Sequence, residues 1–430
     1  MIRVFERVLP DLARGQRVAR FRRWWMENAP RGEFWALVIA TLLFNLGMST
    51  FMFLYNLFLL DLGFREQSLG AFSSALALGG LAGTIPMGVL ARRFGTKRIL
   101  SICLLLMAAA YGAKACLLWY SAQLALSFLD GVMLCGWVVC LSPAVASAVE
   151  EHKRPFAFSV LYASAVGACS LGGFVGGHVP GWYQSLVIHY SGGVVSGLEG
   201  KRITLLAACA ITGLAVLPVL RVSGGGRVQE MRWPDRPSPF LLRFLIASAC
   251  WGAAIGAFNP FTGVFFARYL GVQTAQLGSF FSVAQLVQAG TLLFVPLILR
   301  RTGMISGILL MQLATAAALG LLAGGRNLLE MQVIYIGFMS AQHMCEPAIQ
   351  SLLMDRVSER DRSTATSMSY LVVSLAQAGA AALAGFAFFR FGYPAVLLGV
   401  AIAAVGAAVI FRVLCGPSRE PILTRKVMAN

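Results

Sequence analysis

The sequence predicts an all-α integral membrane protein whose twelve transmembrane helices form two parallel six-helix pseudo-repeats. An apolar composition, twelve stretches of spanning length and a self-similarity at one fixed offset carry that prediction. Of 430 residues, 58% are hydrophobic and only 12% are charged, and the mean hydropathy is +0.74. A water-exposed surface needs charge on about a quarter of residues, so lipid is the main solvent of this chain. Its 45 glycines suit close helix contacts in a bilayer. The nine cysteines are scattered through apolar runs, without a C-x-x-C pair or zinc spacing, and read as small packing residues.

A spanning helix needs about 20 apolar residues. Such stretches occur near 34–60, 68–91, 98–120, 122–149, 156–178 and 202–220, and again near 239–267, 275–299, 303–324, 330–354, 363–389 and 394–414. The first is too long for a signal-peptide core, so the chain is read as uncleaved. Sorting the loops by side places 28 of the 35 Lys and Arg on the face that carries both termini and six on the other, with Lys114 inside a span. The positive-inside rule then makes the termini cytoplasmic, in a plasma (bacterial inner) membrane. The net charge of +17 thus reports topology, and no basic segment comes with a domain to present it to nucleic acid. Residues 1–33 mix Arg with Val, Leu, Phe and Trp, a composition for lying on the cytoplasmic leaflet among anionic lipids.

Residues 62–95 and 270–303 align without a gap at an offset of 208. Leu62-Gly63 matches Leu270-Gly271, Leu69-Gly70 matches Leu277-Gly278, and Phe72 and Ser74 match Phe280 and Ser282. Arg92-Arg93-x-Gly95 matches Arg300-Arg301-x-Gly303, and Glu151-x-x-Arg154 matches Glu359-x-x-Arg362 at the same offset. Apolar helices share Leu and Ala by chance, but chance does not readily put charged residues at one offset in two distant loops. The chain therefore divides into an N-terminal six-helix half, 34–220, a polar linker, 221–238, a C-terminal half, 239–414, and a tail, 415–430. Parallel repeats about an axis normal to the membrane describe one transporter architecture.

The loop after the second span reads Gly88-Val89-Leu90-Ala91-Arg92-Arg93-Phe94-Gly95-Thr96-Lys97-Arg98. It resembles the Gly-x-Leu-Ala-Asp-Arg-x-Gly-Arg-Lys-Arg signature of the major facilitator superfamily, with Arg92 where the family usually has Asp. The Glu-x-x-Arg loops after the fourth and tenth spans are similar to the family's second pair of cytoplasmic signatures. The resemblance implies the major facilitator fold, alternating access, and a cytoplasmic gate at Gly88, Arg92, Arg93, Gly95, Glu151, Arg154, Arg301, Glu359 and Arg362. Arg93, Arg154, Arg301 and Arg362 have Glu150, Glu151, Asp355, Glu359 and Asp361 as pairing partners there. Glycines 167, 172, 173, 176 and 177 in the fifth span resemble the family's antiporter motif, with Gly173 in place of Pro; they equally suit close helix approach. Ser127 falls near the place where many drug–proton antiporters carry Arg. The resemblance also implies that the first, fourth, seventh and tenth helices line the central cavity.

Ionisable groups at bilayer depth cost a few kcal/mol each, so each needs a reason. Four lie well inside spans: Lys114, Asp130, His343 and Glu346. Lys114 and Asp130, on consecutive antiparallel helices, either pair with each other or leave Asp130 facing the cavity as a cation or proton site. Gln342, His343, Glu346 and Gln350 recur at helical spacing in the tenth span, and Pro347 frees the His343 carbonyl. This set reads as a buried polar network or as an ion or substrate site. Asp130, His343 and Glu346 are the candidate proton-coupling residues, with Glu346 tuned by His343. Asn45, Tyr55, Asn56, Trp251, Asn259 and Gln342 are the candidate substrate contacts, and Asn259-Pro260 predicts a kink.

No nucleotide-binding, nucleophile-elbow or metalloprotease motif is present, so an enzyme is not expected, nor are a cofactor or a resident metal. The expected function is secondary active transport of a small organic solute, coupled to protons, by a monomer in contact with membrane lipids. The alternatives are a lipid or amphiphile translocase of the same fold, a metal-ion exporter, and a non-transporting membrane sensor.

Overall fold

The computed structural model describes residues 32–150, 153–191, 196–223, 238–325, 327–357 and 362–416. The N-terminal basic segment, most of the linker and most of the tail fall outside those residues. The N-terminal half comprises α1 (Glu33–Asp61), α2 (Glu66–Phe94), α3 (Thr96–Cys116), α4 (Tyr120–Ala148), α5 (Arg154–Ser191) and α6 (Gly197–Leu214). The C-terminal half comprises α7 (Pro239–Gly256), α8 (Thr274–Thr291), α9 (Met304–Gly324), α10 (Leu328–Arg356), α11 (Arg362–Phe391) and α12 (Tyr393–Cys415).

Among the described residues, eleven helical segments are long and apolar enough to cross a membrane, and α10 is not one of them. The reason is in its sequence: Glu330, Gln332, Gln342, His343, Glu346 and Gln350 lower its hydropathy, although it is as long as α4. α5 runs well past the predicted end at 178, to Ser191, passing through Pro180. Three helix starts, those of α6, α7 and α10, are capped by a side chain. The Ser196, Ser238 and Asn327 side chains accept hydrogen bonds from the backbone N–H groups of Glu199, Leu241 and Leu329, which have no acceptor in the first helical turn. α7 breaks where Asn259-Pro260 predicts it: a 3₁₀ turn over Asn259–Phe261 is followed by a short helix and a π turn over Phe265–Tyr269.

The repeat in the sequence is a repeat in space. Gly95 and Gly303, 208 residues apart, turn the chain between helices with φ of +84° and +82°, a region that costs glycine little. Gly70 of α2 lies so close to α11 that a Cβ there would stand 2.6 Å from the Ala381 carbonyl oxygen. Gly278 of α8 stands in the same relation to Gly173 of α5, again at 2.6 Å. Ser74 Oγ donates to the Ala378 carbonyl at 2.6 Å, and Ser282 Oγ to the Ser170 carbonyl at 2.6 Å. Every one of these pairs is related by the offset of 208, so α2–α11 and α5–α8 are two copies of one contact. Both copies lie on the side away from the chain ends, called here the distal side. There they join the halves through backbone approach and short hydrogen bonds.

The distal closure also has contacts without a copy, among them those of Glu66. Glu66, at the start of α2, accepts from the Arg268 guanidinium at 2.9 Å and from the Tyr393 hydroxyl at 3.2 Å, linking α2 to the end of the α7 segment and to α12. Toward the terminal side α5 and α11 carry exposed tyrosines. Tyr162 of α5 and Tyr370 of α11, again 208 apart, are 57% and 52% exposed.

Candidate functional site

Between the halves lies a cavity of about 630 Å³, bordered by residues of the distal contacts such as Gly173 and Ala381. Its lining comes from both halves: Ser49, Tyr55 and Asn56 from α1, Lys114 and Ser127 from α3 and α4, Asn259 and Thr262 from the broken α7, Gln285 and Gln288 from α8, His343 from α10 and Gln377 from α11. Aromatic and thioether side chains fill the spaces between, including Met48, Met52, Phe53, Phe281, Tyr335 and Met339.

One wall is a buried polar network set by the end of α3. The last carbonyls of a helix have no intrahelical donors. Gln123 supplies two here: its Nε2 donates to the carbonyls of Lys114 and Leu117, each at 2.8 Å, while its Oε1 accepts from the Tyr55 hydroxyl. Arg202 Nε donates to the Ala115 carbonyl at 2.9 Å. Lys114 sits in that last turn, where the helix dipole favours a cation. Its Nζ lies 2.7 Å from Asp130 Oδ2, with the two side chains 1% and 0% exposed. The rings of Phe51, Tyr55 and Tyr111 surround the ammonium with centroids at 5.8, 5.1 and 5.9 Å. Asp130 Oδ1 and the Tyr111 hydroxyl are buried without a hydrogen-bond partner among the described residues. Of the two placements open for Asp130, the structure has the pair: Lys114 reaches the cavity and Asp130 stands behind it.

The other wall centres on α10. His343 Nδ1 donates to the Met339 carbonyl at 2.9 Å, which leaves Nε2 toward the cavity. Glu346 is corrected in position. It was expected buried at mid-membrane beside His343; it is exposed, outside the cavity lining, and close enough to Tyr162 of α5 to act on it electrostatically. It lies one turn beyond His343 toward the terminal side.

The remaining candidates divide. Tyr55, Asn56 and Asn259 line the cavity, and Asn56 Nδ2 donates across the halves to the Pro260 carbonyl at 2.9 Å. Trp251 and Gln342 are buried and do not line it. Asn45 lies instead in a separate apolar cleft, its Nδ2 donating to the Thr41 carbonyl at 2.8 Å. Sequence reasoning missed Gln285, Gln288 and Gln377. Two glutamines three apart on α8 share a face, and that spacing was the signal available.

The loop residues expected to form a gate lie on the terminal side. Gly88 is buried with room for a Cβ, Gly95 makes the turn, and Arg92, Arg93 and Arg301 are exposed. Arg154 Nε donates to the Ala146 carbonyl at 3.3 Å and Arg362 Nε to the Met354 carbonyl at 3.2 Å. These are copies at the same offset, and each serves carbonyls at the end of α4 or α10 within its own half. Glu151 and Glu359 lie outside the described residues.

The sequence profile of the Major Facilitator Superfamily matches residues 37–342, well over half of the chain. The chain belongs to that superfamily. As a major facilitator it is a secondary transporter of the membrane and not an enzyme. No curated protein is matched. Among solved structures, the nucleoside transporter NupG is similar at 16% identity, covering 90% of this chain and 100% of that one, with a TM-score of 0.73. A bacterial homologue of the iron transporter ferroportin, in an inward-facing state, is similar at 15% identity over 90% and 99% of the two chains, TM-score 0.69. The inward-open xylose transporter XylE from E. coli is similar at 13% identity over 90% and 97%, TM-score 0.68. At such identities the likeness is one of fold, and it leaves each transporter's cargo with that transporter.

Proposed function

We propose that this major facilitator moves a small organic solute through the central cavity by alternating access, coupled to protons at Asp130. The chain works as a monomer in the plasma (bacterial inner) membrane with its termini cytoplasmic. The observation that carries the reading is a cavity of solute size, lined by both halves, with a buried ion pair on its wall. A buried carboxylate whose second oxygen lacks a donor is costly to keep charged, and a change in which side admits water changes that cost. Neutral Asn, Gln, Ser and Thr side chains supply the hydrogen-bonding surface a polar solute requires. Among the described residues, no group of three or more His, Cys, Asp and Glu stands close enough to hold a metal ion, so nothing favours metal export over an organic cargo.

The test is solute uptake into proteoliposomes with and without an imposed proton gradient, comparing wild type with Asp130→Asn. The variant is expected to keep exchange of solute for solute and to lose gradient-driven accumulation. Accumulation at the wild-type rate in Asp130→Asn removes Asp130 from coupling.

A further inference from the structure

We infer that the solute is a small amphiphilic organic anion, its carboxylate held at Lys114 and its apolar body directed along the cleft between α1, α4 and α5. This rests on the reading of the central cavity as the transport site.

The charge assignment comes from what faces the cavity and what does not. Lys114 and His343, one from each half, are among the lining residues, whereas among the described residues no carboxylate is; Asp130 is behind Lys114 and Glu346 is outside. The ammonium has three protons. Asp130 Oδ2 takes one; among the described residues Nζ has no second hydrogen-bond acceptor, and the rings of Phe51, Tyr55 and Tyr111 stand around it. Lys114 is 1% exposed, so a carboxylate entering the cavity reaches the ammonium, which has donors to spare, by displacing its ring contacts. Two carboxylates on one ammonium in a low-dielectric site leave a net negative charge, which a proton on Asp130 cancels. Anion and proton then enter together, and the loaded site is neutral.

The body of the ligand is assigned by the second cavity. An apolar cleft of about 450 Å³ adjoins the central one, and Met48 lines both. Phe44, Trp137, Leu141, Phe158 and Leu161 form most of its wall. Asn45, one of its few polar groups, has its Nδ2 engaged with Thr41. Tyr162 lines this cleft too, and the exposed carboxyl of Glu346, from the opposite half, lies near it. A negative charge at the terminal end of the cleft repels a carboxylate there and favours it at Lys114, so the field sets the direction: charged end deep, apolar end toward the terminal side.

The experiment measures thermal unfolding of the purified protein in nanodiscs with matched probes: 3-phenylpropanoate against 3-phenylpropanamide, and hexanoate against hexanamide. The acids are expected to raise the unfolding temperature saturably and the amides not to, with acetate weaker than either larger acid. Lys114→Met alone leaves Asp130 buried and unpaired and is prone to misfold, so the second variant is Lys114→Met/Asp130→Leu, which removes both charges. It is expected to bind the acids roughly thirtyfold or more weakly and to lose the preference for acid over amide. Equal stabilisation by acids and amides, stabilisation by neither, or an undiminished acid effect in the double variant overturns the proposal. The transport reading fails by a different result: acids that bind the protein and are never carried across a proteoliposome membrane.

Discussion

The two halves share a backbone plan and differ in what fills it. At the positions of Lys114 and Asp130, the offset of 208 places Leu322 and Phe338 in the C-terminal half, both fully buried. Opposite the polar network of Tyr55, Gln123, Lys114 and Asp130 stands an aromatic cluster, in which Phe266, Phe280, Phe281 and Tyr335 pack with centroids 5.1 to 6.3 Å apart. The helix contacts differ as well. In the N-terminal half α2 and α4 meet backbone to backbone: a Cβ at Gly79 would collide with the Phe128 carbonyl oxygen, and one at Gly131 with that of Leu76. The counterparts are Val287 and Met339, and Met339 lines the cavity between α8 and α10. One half is thus a tight scaffold holding a charge pair, and the other a looser wall of broken helices and rings. Duplication supplied the frame, and the site arose where the copies diverged.

The largest expected effect concerns the charge pair. Lys114→Ala leaves a buried, uncompensated carboxylate and should cost about 3–5 kcal/mol, while Lys114→Met/Asp130→Leu, apolar like the other half, should recover most of it. Thermal unfolding in detergent measures both. A double variant as unstable as the single one breaks the equivalence of the two halves at this site.

Next in size is the helix contact. Gly131→Met places the C-terminal half's residue against the Leu76 carbonyl and should destabilise by about 1–3 kcal/mol or more through overpacking, read as lost monodisperse yield. Met339→Gly should be tolerated better, because it only enlarges the cavity. Equal losses in the two variants contradict the view of one tight and one loose half.

A smaller effect is expected at the distal closure. Its two copied contacts are balanced, whereas Glu66 with Arg268 and Tyr393 is present once. Arg268 is half exposed, so Glu66→Gln should shift the population toward distal opening only about two- to fivefold, on the order of 0.5–1 kcal/mol. Spin-label distances between the distal ends of α2 and α11 report it; an unchanged distribution assigns the closure to the glycine and serine contacts alone. The smallest effect is predicted for Glu346→Gln. This exposed residue should keep gradient-driven accumulation close to wild type in proteoliposomes, and its loss there would return the coupling role to α10.

The sequence by itself determined the membrane class, the helical architecture and the duplication, because these rest on patterns that survive without coordinates. Hydrophobic length sets spans, Lys and Arg bias orders the loops, and an offset of 208 relates Arg93 to Arg301 and Gly95 to Gly303 wherever the helices lie. It also flagged Lys114, Asp130, His343 and Glu346, since a charge in an apolar run is conspicuous. Tertiary structure decided which way each of these faces. A helix of 29 residues presents side chains all round, and lining depends on how neighbours rotate and tilt it. Hence His343 lines the cavity, and Gln342, one residue before it, is buried elsewhere. Lys114, on a helix expected to stand outside the cavity, reaches it because its side chain spans the distance that the backbone does not. Glu346 lost its expected burial for the same reason: its place on α10 turns it to an exposed face, outside the cavity lining.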